Sequence, residues 1–113
     1  MEVNKTSTIN FSEVYNLGNL VNYQEGSVIS RQLIKRKEGT VTVFAFAEGE
    51  GLSEHTAPFD ALVHILDGEA KITIDKTDYH MKNDEIIIMP ADIPHALYAE
   101  KQFKMLLIMI KTS

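Results

Sequence analysis

From Ser27 onward, apolar and polar residues alternate with a period of two, the spacing of strands whose successive side chains point to opposite faces. Val28, Ser30, Gln32 and Ile34 share one face, and Ile29, Arg31 and Leu33 the other. Both faces are mixed, which predicts an edge strand. Gly39 closes a turn, after which Val41, Val43, Ala45 and Ala47 alternate with Thr42, Phe44 and Phe46. That run is rich in β-branched and aromatic residues and predicts a strand buried on both sides. The Gly-rich stretch Glu48-Gly49-Glu50-Gly51 reads as a loop leading to His55. A further strand is predicted from about Asp60 to Leu66, ending at the turn signal Asp67-Gly68.

The cleanest alternation follows. Ala70, Ile72 and Ile74 point one way and Glu69, Lys71, Thr73 and Asp75 the other, so one face is core and the other solvent. Tyr79 to Lys82, the Asn83-Asp84 turn and Glu85 to Met89 come next. Pro90-Ala91-Asp92-Ile93-Pro94 is excluded from a central strand, because prolines lack the ladder donor. His95 to Ala99 and Phe103 to Ile110 bring the total to roughly nine short strands, the pattern of an all-β sandwich or barrel. Residues 1–26 are polar and Asn-rich and read as a lead-in segment of the same domain, with residues 27–113 as the barrel. Within the lead-in, Ser12 followed by Glu13 predicts a short helix ending near Gly18.

Composition narrows the function. The 113 residues make one domain, large enough for a core without a staple. The absence of cysteine excludes disulfides, thiolate zinc sites, iron–sulfur clusters and a cysteine nucleophile, leaving His, Asp and Glu as strong ligands. A net charge of -5, with no basic run beyond Lys35-Arg36-Lys37, argues against nucleic acid as a partner. The apolar runs Ile86 to Pro90 and Met105 to Ile110 are far short of the roughly 20 residues of a membrane span. The polar start Met1-Glu2-Val3-Asn4-Lys5 lacks a signal-peptide core, so a cytoplasmic protein is the default expectation. No nucleophile elbow, phosphate loop or dinucleotide fingerprint is present.

Of the four histidines, His55 follows the Gly-rich loop and His95 a Pro-bounded loop, so both can converge where strand ends meet. His64 lies between Val63 and Ile65, opposite in parity to Ala61, and reads as structural or surface. His80 beside Lys82 reads as solvated, as do Glu48, Glu50 and Glu54, which lack the ligand order of a calcium loop. For acid–base work the candidates are His55, His95, Asp60 and Tyr98. Met89, Met105 and Met109 offer softer ligands, although methionine in a β core usually fills gaps.

These residues resemble the cupins, small double-stranded β-helix barrels of the jelly-roll kind. The first cupin motif, G-x5-H-x-H-x(3,4)-E-x6-G, runs through Gly49, His55, Ala57, Ala61 and Gly68. The second, G-x5-P-x-G-x2-H-x3-N, runs through Asp84, Pro90, Asp92, His95 and Ala99. The likeness spans about residues 49 to 99, and the chain also looks like the short, single-domain bacterial cupins of unassigned role. It implies a barrel, a homodimer paired through sheet edges, and a divalent ion (Mn, Fe, Ni, Cu or Zn) held by three histidines and a glutamate. Here only His55 and His95 fill ligand positions, with Ala57 and Ala61 in the other two. Asp60 could stand in for the glutamate only if the strand began after it or carried a bulge. The expected pocket lies at the barrel end holding His55 and His95, walled by Phe44, Phe46, Ala57, Ala61, Val63, Met89, Met105 and Leu107. A small-molecule-binding barrel with a weakly held divalent metal is therefore expected. The competing roles are a metal-dependent isomerase, cyclase or oxygenase, and a non-catalytic ligand-binding or sensing module.

Overall fold

A computed structural model describes the backbone of residues 3–5 and the whole of residues 9–112. Among these residues the chain forms ten strands: β1 (Val3–Lys5), β2 (Val28–Arg36), β3 (Gly39–Phe46), β4 (Gly51–His55), β5 (Phe59–Gly68), β6 (Ala70–Ile74), β7 (Thr77–Met81), β8 (Ile86–Met89), β9 (His95–Tyr98) and β10 (Phe103–Lys111). They make a larger sheet in the order β1-β2-β3-β10-β5-β8 and a smaller one in the order β4-β9-β6-β7. β1 joins β2 in parallel and every other pair is antiparallel. From β3 onward the chain changes sheet at each connection except the β6–β7 hairpin, which winds it into a double-stranded β-helix.

The alternation read in the sequence explains the core. On β5, Ala61, Val63 and Ile65 are buried between the sheets. They meet Ile72 and Leu97 of the smaller sheet and Phe103 and Met105 of β10. Phe46 and Phe103 stack with ring centroids 4.5 Å apart. Full burial of such side chains contributes roughly 1.5–3 kcal/mol each. β3 is buried on both faces, as its composition predicts: Phe44 and Phe46 turn into the barrel, while Val43 and Ala45 turn outward under Leu17, Leu20, Val21 and Tyr23 of the lead-in. Polar contacts hold that cover in place, among them Arg31, whose guanidinium donates to the Leu20 carbonyl at 3.4 Å. The Tyr23 hydroxyl donates to Asp67 at 2.5 Å, and Lys104 Nζ donates to the Gly18 carbonyl at 2.6 Å while lying 5.2 Å above the Tyr23 ring. Burial, followed by the Asp67 contact, raises the Tyr23 pKa.

Several local expectations change. Ser12 has φ 59°, outside the extended conformation that an N-cap requires, and no helix follows it. The segment instead makes a tight turn and a single 3-10 turn at Leu17–Asn19. β2 is not a full edge strand, since β1 covers it at Val28, Ile29 and Ser30. Gly51–His55, read as the end of a loop, is strand β4, too short and irregular to show alternation. Asp67-Gly68 closes no hairpin; it passes the chain from one sheet to the other. The hairpin turn is Asp75-Lys76, where both central residues have positive φ, matching the right-handed twist of the paired strands. On the outer face of the larger sheet, Ile34, Val41, Ile108, Leu62 and Ile88 pair side by side across β2, β3, β10, β5 and β8. Ile34 and Ile88, at the two ends of this row, are exposed.

Among the turn positions with positive φ, some hold glycine, as at Gly49 (φ 86°) and Gly68 (φ 78°), and others aspartate, as at Asp84 (φ 68°) and Asp92 (φ 63°). Aspartate tolerates this region better than most residues, at some cost. Gly68 has a second requirement, because a Cβ there would collide with the Gln102 carbonyl. Asp92→Gly is therefore expected to leave stability unchanged or raise it by up to about 1 kcal/mol, whereas Gly68→Ala lowers it by at least about 1 kcal/mol. Urea unfolding of the two variants beside the parent checks both, and equal effects at the two positions would contradict the account.

Candidate functional site

The smaller sheet places His55 and His95 side by side. They are direct cross-strand partners on β4 and β9, and their rings meet edge to face with centroids 4.4 Å apart. On β9, strict alternation turns His95 and Leu97 inward and Ala96 and Tyr98 outward. On β4, alternation alone would send His55 away from the face of Leu52. The register shifts between Leu52 and His55, where three steps along β4 match two along β9. This one-residue bulge returns His55 to the inner face, so Leu52 and His55 both line the cavity.

Each imidazole is fixed by the backbone two residues before it. His55 Nδ1 lies 2.7 Å from the Ser53 carbonyl, and His95 Nδ1 lies 3.2 Å from the Ile93 carbonyl. A carbonyl can only accept, so in each ring Nδ1 carries a proton, and the neutral form of either ring has its lone pair on Nε2. His55 is exposed at the rim, while His95 is only 7% exposed. Burial lowers the His95 pKa, the Ile93 carbonyl partly opposes that shift, and the neighbouring His55 reinforces it.

Beyond the pair, the cavity wall is Leu52, Ala57, Phe59, Ala61, Met89, Leu97, Met105, Leu107 and Met109. No wall side chain carries oxygen, and the volume is about 50 Å³. Ala57, Ala61, Met89, Met105 and Leu107 stand where the sequence suggested. Phe44, Phe46 and Val63 instead belong to the packed core away from the wall. Leu52, Phe59, Leu97 and Met109 were not anticipated as wall residues; strand parity identifies Leu97 and Met109 once His95 and Met105 are known to face inward.

Two acid–base candidates lie elsewhere. β5 begins at Phe59 and has regular alternation there, so Phe59 and Ala61 face the cavity and Asp60 faces away. The Asp60 carboxylate accepts the Ala91 N–H at 3.0 Å. Asp60 therefore does not stand in for the missing glutamate. Tyr98 is on the outer face, with Lys71 Nζ 6.0 Å from its ring centroid. His64 meets Asp84 at 3.3 Å and His80 meets Glu100 at 3.4 Å, both outside the cavity as their parity and setting predict.

A model of the cupin domain matches residues 42–111. The chain belongs to the cupins. Among solved structures, this cupin is similar to a conserved protein of unknown function from Streptococcus pyogenes, at 39% identity and TM-score 0.89 over 95% of this chain and 94% of that one. It is also similar to a cupin superfamily protein from Desulfitobacterium hafniense, at 30% identity and TM-score 0.86 over 94% of this chain and 97% of that one. A cupin 2 conserved barrel domain protein from Leptotrichia buccalis is 45% identical over 86% of this chain, with TM-score 0.84. The match covers 47% of that protein, so this cupin spans about half its length. No curated protein matches the sequence.

The four-ligand divalent site that the likeness implied does not fit these residues. Ala57 and Ala61 occupy two of its positions on the cavity wall. Among the described residues no group of three or more His, Cys, Asp or Glu is placed to hold a metal ion. What remains is a pair of imidazoles tied back through Nδ1, His55 at the rim of the apolar cavity and His95 buried in its wall.

The lowered His95 pKa carries a sign. The unfolded imidazole, near its ordinary value of about 6.5, binds more protons than the folded one just below that pH. The contribution of neutral His95 is thus fully present above pH 6.5 and is lost as pH falls through the folded-state value. Chelator-treated protein is expected to lose stability between pH 7 and pH 5, and His95→Gln to flatten that part of the profile, as read from urea midpoints. A profile equally steep in His95→Gln would contradict the assignment.

Proposed function

We propose that this cupin is a binding module for a small, mainly apolar molecule carrying one hydrogen-bond donor, which enters the barrel beside His55 and His95. The observation that carries this reading is the pair of imidazoles tied back through Nδ1, with Nε2 uncommitted beside a wall that is otherwise carbon and sulfur. Such a site gains from burying apolar area and from one or two directed hydrogen bonds that fix orientation. A volume of about 50 Å³ is well below the roughly 300–1,000 Å³ of pockets for drug-sized ligands. The barrel therefore takes a few non-hydrogen atoms of its ligand and leaves the remainder at the open rim.

Acid–base chemistry is less well supported. His55 and His95 are alike in tautomer and adjacent, and no carboxylate or hydroxyl side chain lines the cavity beside them. Asp60 and Tyr98 point away from them.

The test uses 1-butanol as the probe, with ¹H–¹³C NMR of the histidine rings and methionine methyls. Saturable shifts at His95, Met89 and Met109 with a dissociation constant in the millimolar range are expected, corresponding to about 4 kcal/mol at 1 mM. Ala57→Leu, at a half-buried wall position, is expected to weaken binding by about tenfold, the effect of roughly 1.4 kcal/mol, while the protein remains folded. Absence of any saturable shift, or binding unchanged in folded Ala57→Leu, would overturn the reading.

A further inference from the structure

The two sheets differ in what their outer faces show. On the smaller sheet Lys71, Thr73, Asp78 and His80 face outward. There Asp78 accepts the Thr73 hydroxyl at 2.7 Å and meets Lys71 at 3.8 Å, the polar surface that an antiparallel sheet turns to water. The larger sheet has no such surface. The lead-in covers one half of its outer face, and the other half carries the apolar row from Ile34 to Ile88, with Ile86 and Ile110 beside it. Every isoleucine exposed among the described residues, Ile34, Ile86, Ile88 and Ile110, belongs to this strip. Within the strip a groove of about 260 Å³ opens where Gly39 leaves no side chain between Arg36 and Ile110. Val41, Ile108 and Ile110 line it, together with Arg36 and Glu38.

The lead-in supplies a projection of matching chemistry. Residues 10–15 form a tight turn closed by Asn10, whose N–H donates to the Tyr15 hydroxyl at 3.1 Å and whose side-chain amide donates to Glu13 at 3.5 Å. Phe11 on this turn is 70% exposed and Val14 is 98% exposed. We infer that Phe11 and Val14 of a second copy dock in the groove at Val41, Ile108 and Ile110, giving a two-fold dimer through the outer face of the larger sheet and not through its edges. Charge favours the same fit: Lys35, Arg36 and Lys37 outnumber Glu38 at the groove, and Glu13 accompanies Phe11 on the turn. Size decides the symmetry. Two residue rows on five strands make a strip of about 24 Å by 14 Å, less than half of the roughly 800 Å² per partner in a standard interface. A reciprocal contact, in which each copy gives one turn and receives one, roughly doubles the area at a single interface. A head-to-tail contact keeps the smaller area and runs on into open filaments.

Sedimentation equilibrium of the full chain, 12.7 kDa as a monomer, tests the inference. A mass of twice that value is expected. Phe11→Asp and Ile110→Asp should each weaken the dimer by about 100-fold or more, and Tyr98→Ser, on the outer face of the smaller sheet, should leave it unchanged. Both aspartate positions are exposed, and circular dichroism verifies that the variants are folded. Glu13→Lys and Arg36→Glu should each weaken association by about tenfold, and their combination should recover most of that loss. A monomer even at millimolar concentration would overturn the inference, whatever other partner covers the strip. So would a mass that grows without limit, a dimer indifferent to both aspartate variants, or charge reversals whose effects simply add. The outcome is independent of 1-butanol binding, because none of the substituted residues lines the cavity.

Discussion

Alternation along paired strands divides every residue of the two sheets between the barrel interior and its outside, and the site depends on where that rule is kept and where it is broken once. It is kept on β5, β9 and β10, which send Ala61, His95, Leu97, Met105, Leu107 and Met109 inward. It is broken on β4, where one extra residue between Leu52 and His55 reverses the parity of the strand end. Without that bulge, His95 would face the cavity alone, and the edge-to-face contact between the two rings could not form. The same irregular stretch supplies the anchor, because Ser53, whose carbonyl holds His55 Nδ1, lies within it.

The backbone of the barrel is more constrained than its side chains. Asp84 and Asp92 stand at positions where the cupin motif has glycine, yet both keep the positive φ that such a turn needs. The Asp84 N–H meets the Ile65 carbonyl and the Asp92 N–H meets the Ala57 carbonyl, each at 2.8 Å. Those hydrogen bonds tie the two loops to the ends of β5 and to the segment before it. Gly68 could not be exchanged in the same way, because the Gln102 backbone crosses where its side chain would be. Positive φ alone admits aspartate, whereas positive φ with a close backbone approach admits only glycine.

The sequence made the all-β class, most strands and the inward set of β5 legible because each rests on a period of two over five or more residues. His55 and His95 were legible through motif spacing. Their contact was not, since it arises from the register between β4 and β9, and a five-residue strand with a bulge leaves no periodic trace. Asp60 illustrates the same limit from the other side. Its residue type suited a ligand, but its parity, set by a regular start to β5, sends it to the Ala91 N–H. The helix suggested by Ser12 failed because a capping residue signals a helix only where an apolar stripe of helical period follows, and Leu17, Leu20 and Val21 instead serve as a lid on the outer face of the larger sheet.

Charge sets the character of the cavity. A carboxylate in the place of Ala61 would be a buried anion needing a cation beside it, since an uncompensated buried charge costs several kcal/mol. With alanine there and at Ala57, the wall has no fixed charge. Burial and the neighbouring ring both favour neutral His95, and no carboxylate or ammonium lines the cavity. A cavity of this kind gives a dication no counter-charge and gives a hard ion no oxygen. It retains two imidazoles held at fixed orientation and apolar surface. The alanine positions therefore change the class of ligand that the barrel can select.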